Sequence, residues 1–341
     1  MGDGRNGQTL ALRKVPNFFH LVIMSFDHLD DFMFLNPITE AKIVGDGISS
    51  DRYMKQPNGV KRGSPEFVMN GKDLSLFSEC PHRWLHGYSE DDEGTKATDW
   101  GSLLDCFLTS KQDLFDRFIL LPANYQNDKG EDRPWNWNAN VCKAWREENN
   151  AAGLKTEIKR EVWFSAKEAA DLILADPQLE DLFANSRKQV MLTGVYVDKE
   201  TGVRVPVKSL LDLVPNEATY LVDLKSCNCA HPRAWRKQVF NFNYHVQASR
   251  HLDLWNAATG EQRNEFRHVL QESVKPFEVA KRFLSSEYLA LGRQKYIGAL
   301  KRYAKALHTG VWETYDIQEG ANDMVIDGWL IVSPEPWMIG V

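Results

Sequence analysis

Apolar positions along this chain recur at two periods, near 3.6 and near 2, and the switch between them divides the chain into segments. A helical period runs through Trp100–Leu108 and carries Leu104, Phe107 and Leu108 on one face. The same period predicts a helix over residues 165–186, with Ala169, Leu172, Ile173, Leu179 and Leu182 on its apolar side. Between 190 and 226 the period drops to two. Strands are predicted at 190–197, 203–214 and 219–226, joined by turns at Asp198–Gly202 and Pro215–Ala218. A long helix is expected from about Pro232 to Ala258, then strands near 266–273 and 277–283, then a helix opening at Ser285/Ser286 and closing at Gly310. Residues 122–140, rich in Pro, Asn, Asp, Gly and Trp, read as a loop. Residues 1–70 show no sustained period, so they are expected to form an N-terminal extension of uncertain structure ahead of one α/β domain at 71–341.

Composition narrows this picture. The 341 residues are 43% hydrophobic, ample for a large core, yet no apolar run approaches the roughly 18 residues that a membrane span needs. Residues 1–25 lack a cationic start followed by an apolar stretch and a cleavage site, so no secretory signal is indicated and a cytoplasmic location is expected. The five cysteines are an odd set in a long chain, which suits reduced thiols better than a disulfide framework. The balance of 41 Lys+Arg against 47 Asp+Glu excludes a uniformly basic nucleic-acid binder and leaves room for a local basic groove.

The chemistry concentrates in Val207–Pro215 and Tyr220–Ser226. Alternation along a strand points Asp223 and Lys225 the same way, with Val222 and Leu224 in the opposite layer. If the two strands pair through the Pro215 turn, Asp212 brings a second carboxylate beside Asp223. Two carboxylates and a lysine suit Mg2+, which keeps several waters and takes one or two carboxylates. Such a site points to phosphodiester hydrolysis. The plainer reading is a turn-capping Asp212 beside a surface ion pair.

The pattern Asp212…Asp223-x-Lys225 resembles the PD-(D/E)XK nuclease signature, and its surroundings resemble the RecE-type (exonuclease VIII-like) branch. Trp100–Leu108 is similar to that branch's "GTALH" helix, and Phe115–Ile119 continues the match. Tyr244-His245-Val246-Gln247-Ala248 resembles its "YHxQ" segment, and Tyr288–Tyr296 its closing helix, so the likeness spans roughly 73–315. The resemblance implies a restriction-endonuclease-like α/β core, a central mixed sheet flanked by helices. It also implies an exonuclease digesting linear double-stranded DNA, 5′ to 3′, leaving 3′ single strands for an annealing protein in phage or bacterial recombination, as a ring-like homo-oligomer. Under the same likeness Asp105, Asp212, Asp223 and the Leu224 backbone carbonyl hold Mg2+, with Mn2+ able to substitute, while Lys225 and Gln247 attend water and phosphate. Arg233, Arg236, Lys237 and Arg250, with Tyr244, are candidates to line the DNA path. A solvated face explains the four cations equally well, and packing explains Tyr244.

The chain departs from the family pattern at four places. Asp105 stands where the family has histidine, Gln189 is the nearest counterpart of an expected acid, Leu211 replaces proline before Asp212, and His251 stands where relatives carry tyrosine. A non-catalytic DNA-binding protein on the same fold, or an endonuclease for branched or internal sites, therefore stays open. Other motifs carry less: the pair His82/His86 has helical metal spacing without the glutamate a zincin needs. Cys80 resembles the first ligand of AddB-type iron-sulfur nucleases, but no cysteine follows Cys229 to complete four thiolates.

Overall fold

The computed structural model describes residues 35–55, 59–87 and 96–315, with Phe32 and two short strands at Met324–Ile326 and Trp329–Ile331. Six strands make one sheet in chain order: β1 (Ile38–Gly45), β2 (Ser186–Val197), β3 (Arg204–Pro215), β4 (Tyr220–Cys227), β5 (Glu265–Glu272) and β6 (Val279–Phe283). The helices that matter below are α1 (Gly71–Glu79), α2 (Lys96–Thr109), α3 (Arg160–Leu174), α4 (Pro177–Ala184), α5 (Pro232–Asn241), α6 (Tyr244–Thr259) and α7 (Ser286–Thr309). Neighbouring strands are antiparallel except β4 and β5, whose parallel pairing requires the crossover that α5 and α6 supply. This is the expected α/β architecture, a mixed sheet with helices on both faces.

Both faces of the sheet are covered. On one, Phe77, Trp84, Trp255 and Tyr303 pack on Leu211, Leu221 and Phe266; on the other, Leu103, Leu104, Trp163 and Ile173 pack on Leu213, Val222 and Leu224. The strand alternation of β4 divides its side chains between these two cores as expected. Close backbone approach fixes the first layer. A Cβ at Gly292 of α7 would stand 2.1 Å from the His245 carbonyl oxygen of α6, so any side chain there forces the helices apart. Among the described residues no helix is long and apolar enough to cross a membrane.

Three elements differ from the periodicity reading, each for a local reason. The helix expected over 232–258 is two helices, because Asn243 between them takes a left-handed backbone (φ 55°) that asparagine tolerates. The helix expected over 165–186 divides at Pro177, which occupies the first turn of α4 while the Asp176 side chain accepts from the Gln178 N–H. Residues 38–45, read as unpatterned, form the edge strand β1 against β2. Its pairing is broken by two register shifts, and an edge strand half open to water carries too weak an alternation to stand out. The loop at 122–140 holds a small hairpin of Asn124–Gln126 with Asp132–Pro134.

A buried ionic staple joins the first layer together. Arg293 of α7 forks onto Asp253 of α6 at 2.7–3.1 Å, Tyr296 donates to the same carboxylate, and Arg293 also donates to the Phe32 carbonyl at 2.7 Å.

Candidate active site

The site forms where the sheet opens. β2 and β3 pair from Ser186 with Pro215 to Val197 with Arg204, but between the pairs Lys188–Leu213 and Val190–Leu211 the opposed residues Gln189 and Asp212 are skipped. Gln189 has a left-handed backbone there (φ 50°). β3 and β4 share one paired position, Leu213 with Val222, and the next residues inward are Asp212 and Asp223. In the opening, the Leu224 N–H donates to the Asp212 carboxylate at 3.0 Å, so a side chain takes the role of a ladder carbonyl. Asp223 pairs in turn with His268 of β5. Gln189, Asp212, Asp223 and His268 therefore form one polar row across four strands.

Helices on both faces reach this row. From α6, Gln247 Nε2 donates to Asp223 Oδ1 at 3.0 Å. Lys225 Nζ lies 2.6 Å from Asp223 Oδ2 and 4.9 Å from the centre of the Tyr244 ring, which itself stacks on Trp235. From α2, Asp105 meets Gln189, whose Nε2 contacts its two oxygens at 3.1 and 3.2 Å and the Thr109 hydroxyl oxygen at 3.2 Å. α2 can come this close to β4 because a Cβ on Gly101 would already stand 2.8 Å from Ser226 Oγ.

The electrostatics follow from one ammonium serving three carboxylates. Enclosure pushes the Asp105 carboxyl up to about 6, with the Asp223 charge adding to it and Thr109 and Arg117 opposing. Asp212 is held well above the usual carboxylate range by enclosure and by the charges of Asp223 and Asp105. Asp223 feels the same burial, but the Lys225 charge outweighs it, and its carboxyl sits below the ordinary value. Burial disfavours the ammonium of Lys225, yet Asp223 and Asp212 more than offset this and hold it above its ordinary value. Burial pushes His251 down to about 3 and His268 down to about 4, so both rings are neutral.

This donor set fits a hard divalent cation. It is all oxygen, its three carboxylates once ionised carry two more negative charges than Lys225 neutralises, and the buried Gln189 Oε1 beside it has no partner. Among the described residues no three His, Cys, Asp or Glu side chains are gathered into a finished metal cage. Asp212, Asp223 and Asp105 would hold the ion, and the Leu224 carbonyl lies on the same strand as Asp223.

The structure thus brings together Asp105, Asp212, Asp223, Lys225 and Gln247. It also shows that Gln189 does occupy a place in the site, bonded to Asp105. Arg233, Arg236 and Lys237 are exposed on α5. Arg250 is not on a DNA path: it is 4% exposed and donates to the Lys208 carbonyl at 2.9 Å, because its turn of α6 faces the core. Tyr244 is engaged by Lys225 and Trp235, which fits packing rather than a DNA contact. Sequence reading missed Thr109 and His268. Thr109 stands one helical turn beyond Asp105, and His268 is the polar residue between the core positions Phe266 and Leu270, a signal that was legible. All five cysteines are free, four buried and Cys229 exposed.

An opened mixed sheet presenting Asp212, Asp223 and Lys225 at its seam, between helical layers, defines a domain of the PD-(D/E)XK nuclease fold. The chain belongs to the family described as "PDDEXK-like domain of unknown function (DUF3799)", whose model matches residues 73–319. No protein of curated function matches it in sequence. It is similar in structure to a protein of Eubacterium rectale described as a candidate exonuclease. That crystal structure aligns with a TM-score of 0.50 at 15% identity, covering 87% of this chain and all of the other.

Proposed function

We propose that the chain is a divalent-metal-dependent exonuclease that hydrolyses phosphodiester bonds at the ends of linear double-stranded DNA, 5′ to 3′, with Mg2+ as its ion and Mn2+ able to replace it. The observation that carries this reading is the seam itself. Lys225 lies on Asp223 at 2.6 Å, and Asp212 is fixed beside them by the Leu224 N–H. A bound divalent ion would supply Lewis acidity toward a phosphoryl oxygen and a bound water.

The chain's own groups do the rest. Lys225 is held protonated by its carboxylates, so it serves as a cation that orients water and balances charge growing on phosphorus, not as a general base. Gln247 fixes Asp223 by donating to it through its amide nitrogen. Gln189 steadies Asp105. As further parts of the same proposal, the enzyme acts in DNA recombination in a bacterial or phage-infected cytoplasm, assembles as a ring, and hands 3′ strands to an annealing protein.

The test is digestion of linear duplex DNA labelled at its 5′ or 3′ end, with Mg2+ or EDTA, by the chain and by its Lys225→Ala form. Metal-dependent release of 5′ nucleotides, slowed about 100- to 1,000-fold in the variant, is expected. Cutting of covalently closed circles would make the enzyme an endonuclease. Absence of any digestion would leave a DNA-binding protein on a nuclease fold, the reading that Gln189 in an acid's position favours.

A further inference from the structure

His268 is a polar side chain of the seam to which the proposed chemistry gives no role. It sits on β5 between the core positions Phe266 and Leu270 and is 1% exposed. Trp235 meets its ring edge to face at 5.2 Å, with Phe266 at 5.3 Å and Tyr244 at 6.1 Å. A phenylalanine would suit this aromatic box. Histidine brings two ring nitrogens instead, one a donor and one an acceptor in the neutral ring, and neither has a hydrogen-bond partner. Among the described residues no other side chain has two such buried atoms. Leaving a buried donor and acceptor unpaired is costly, so an imidazole kept in an apolar box calls for a polar neighbour.

The strand register supplies that neighbour. His268 stands directly across from Asp223 in the parallel pair of β4 and β5. Paired positions point to the same face of a sheet, on strands about 4.8 Å apart. Gln247 serves Asp223 Oδ1, while Oδ2 has the Lys225 ammonium at 2.6 Å but no hydrogen bond of good geometry. An orphaned carboxylate oxygen and two orphaned nitrogens therefore occupy opposed positions of adjacent strands. Neighbouring positions on this face do not repeat the arrangement, since Leu221 is opposite Phe266 and Lys225 is opposite Leu270. A bridging water needs at least two polar partners, and the ring and the carboxylate provide them.

Resting on the nuclease reading above for the divalent ion alone, we propose that His268 is a positioning residue for Asp223, joined to Asp223 Oδ2 by one ring nitrogen through a single bridging water. The carboxylate is thereby held from β5 as well as from α6 and keeps its direction toward the ion. A partner behind a ligating carboxylate raises the affinity for the ion without touching it.

Titration of the full, DNA-free chain with Mn2+, read from the electron paramagnetic resonance signal of the free ion, tests it. Asp223→Ala identifies the binding that belongs to the seam. His268→Phe keeps a ring in the aromatic box and removes both nitrogens, and it should weaken that binding about 10- to 100-fold. His268→Leu should show the same loss, so the result does not hang on whether the larger ring fits. His268→Gln, whose amide reaches toward the place of Nε2, should recover most of the affinity. In EDTA the urea midpoint of His268→Phe should equal or exceed that of the wild type, because two unpaired polar atoms are gone. A histidine that only packs would lower that midpoint and leave Mn2+ affinity alone. Wild-type Mn2+ affinity in His268→Phe or His268→Leu overturns the proposal, as does equal loss in His268→Gln, or Mn2+ binding by the wild type that ignores Asp223→Ala. The two readings fail separately. A chain whose Mn2+ affinity depends on His268 but which digests no DNA loses only the nuclease reading, and one that digests ends while His268→Phe binds Mn2+ as the wild type does loses only this one.

Discussion

Asp253 of α6 and Asp223 of β4, which Gln247 of α6 contacts, are both almost wholly buried, 2% and 1% exposed, but their surroundings are resolved differently. Around Asp253 the charges balance one to one, an arginine fork and a phenol meeting a single carboxylate. Around Asp223 a single ammonium faces three carboxylates, and two of these are pushed up by burial, with the neighbouring carboxylate charges adding to it. The first arrangement is what burial requires of a polar group that only holds helices together. The second leaves a deficit of positive charge that the fold does not fill with another lysine or arginine. Local imbalance at an interior site, next to an equally buried balanced pair, is a mark of function that burial alone does not give.

The comparison is broken most severely by Arg293→Met. It leaves Asp253 buried without its fork, and stability should fall by about 3–5 kcal/mol, read from urea denaturation followed by circular dichroism. A loss below about 1 kcal/mol would mean that the staple is ornamental and the contrast with the seam is empty.

The seam and the staple were not equally legible. Period-two alternation placed Asp223 and Lys225 together, and the turn at Pro215 placed Asp212 beside them, because those constraints are local. Gln247 and Asp105 came from family resemblance, since no spacing on separate helices says where they meet. Arg250 went astray because a cation on a helix reads as solvated, and only the packing of α1, α6 and α7 shows that its turn faces inward. The edge strand β1 escaped because its pairing partner is some 150 residues away and its own alternation is weak. Helix breaks at Asn243 and Asp176-Pro177 hung on single residues within otherwise continuous patterns.

A smaller effect sharpens the contrast from the side of the seam. The Asp105 carboxyl is raised from its ordinary value of 3.8 to about 6, so between those values the folded chain binds a proton that the unfolded chain has released. Stability attached to this group is complete below about pH 4 and lost as pH rises through about 6. Asp105→Asn should therefore stabilise the metal-free chain at pH 8 by about 2 kcal/mol, a figure reduced for the part of the side chain still open to water, and give no gain at pH 4. An equal gain at both pH values would show that repulsion is not what strains the seam.

The smallest shift comes from supplying the charge. With EDTA removed, Mn2+ at about ten times its dissociation constant should add roughly 1.4 kcal/mol, about 2 °C in Tm, and Gln189→Glu should enlarge that rise while lowering the metal-free Tm. A Tm indifferent to Mn2+ in both chains would remove the ion from the account of the seam.

The single paired position between β3 and β4 has a mechanical meaning as well. With so short a join, the sheet consists of two panels, β1 to β3 and β4 to β6, and little backbone hydrogen bonding resists a change in the angle between them. Rigidity across the join falls to α6, which lies over strands of both panels like the spine of a book. Gln247 rides on that spine, with the carboxylates of the seam at the fold line, so any opening of the panels moves the residues that hold water and phosphate relative to one another.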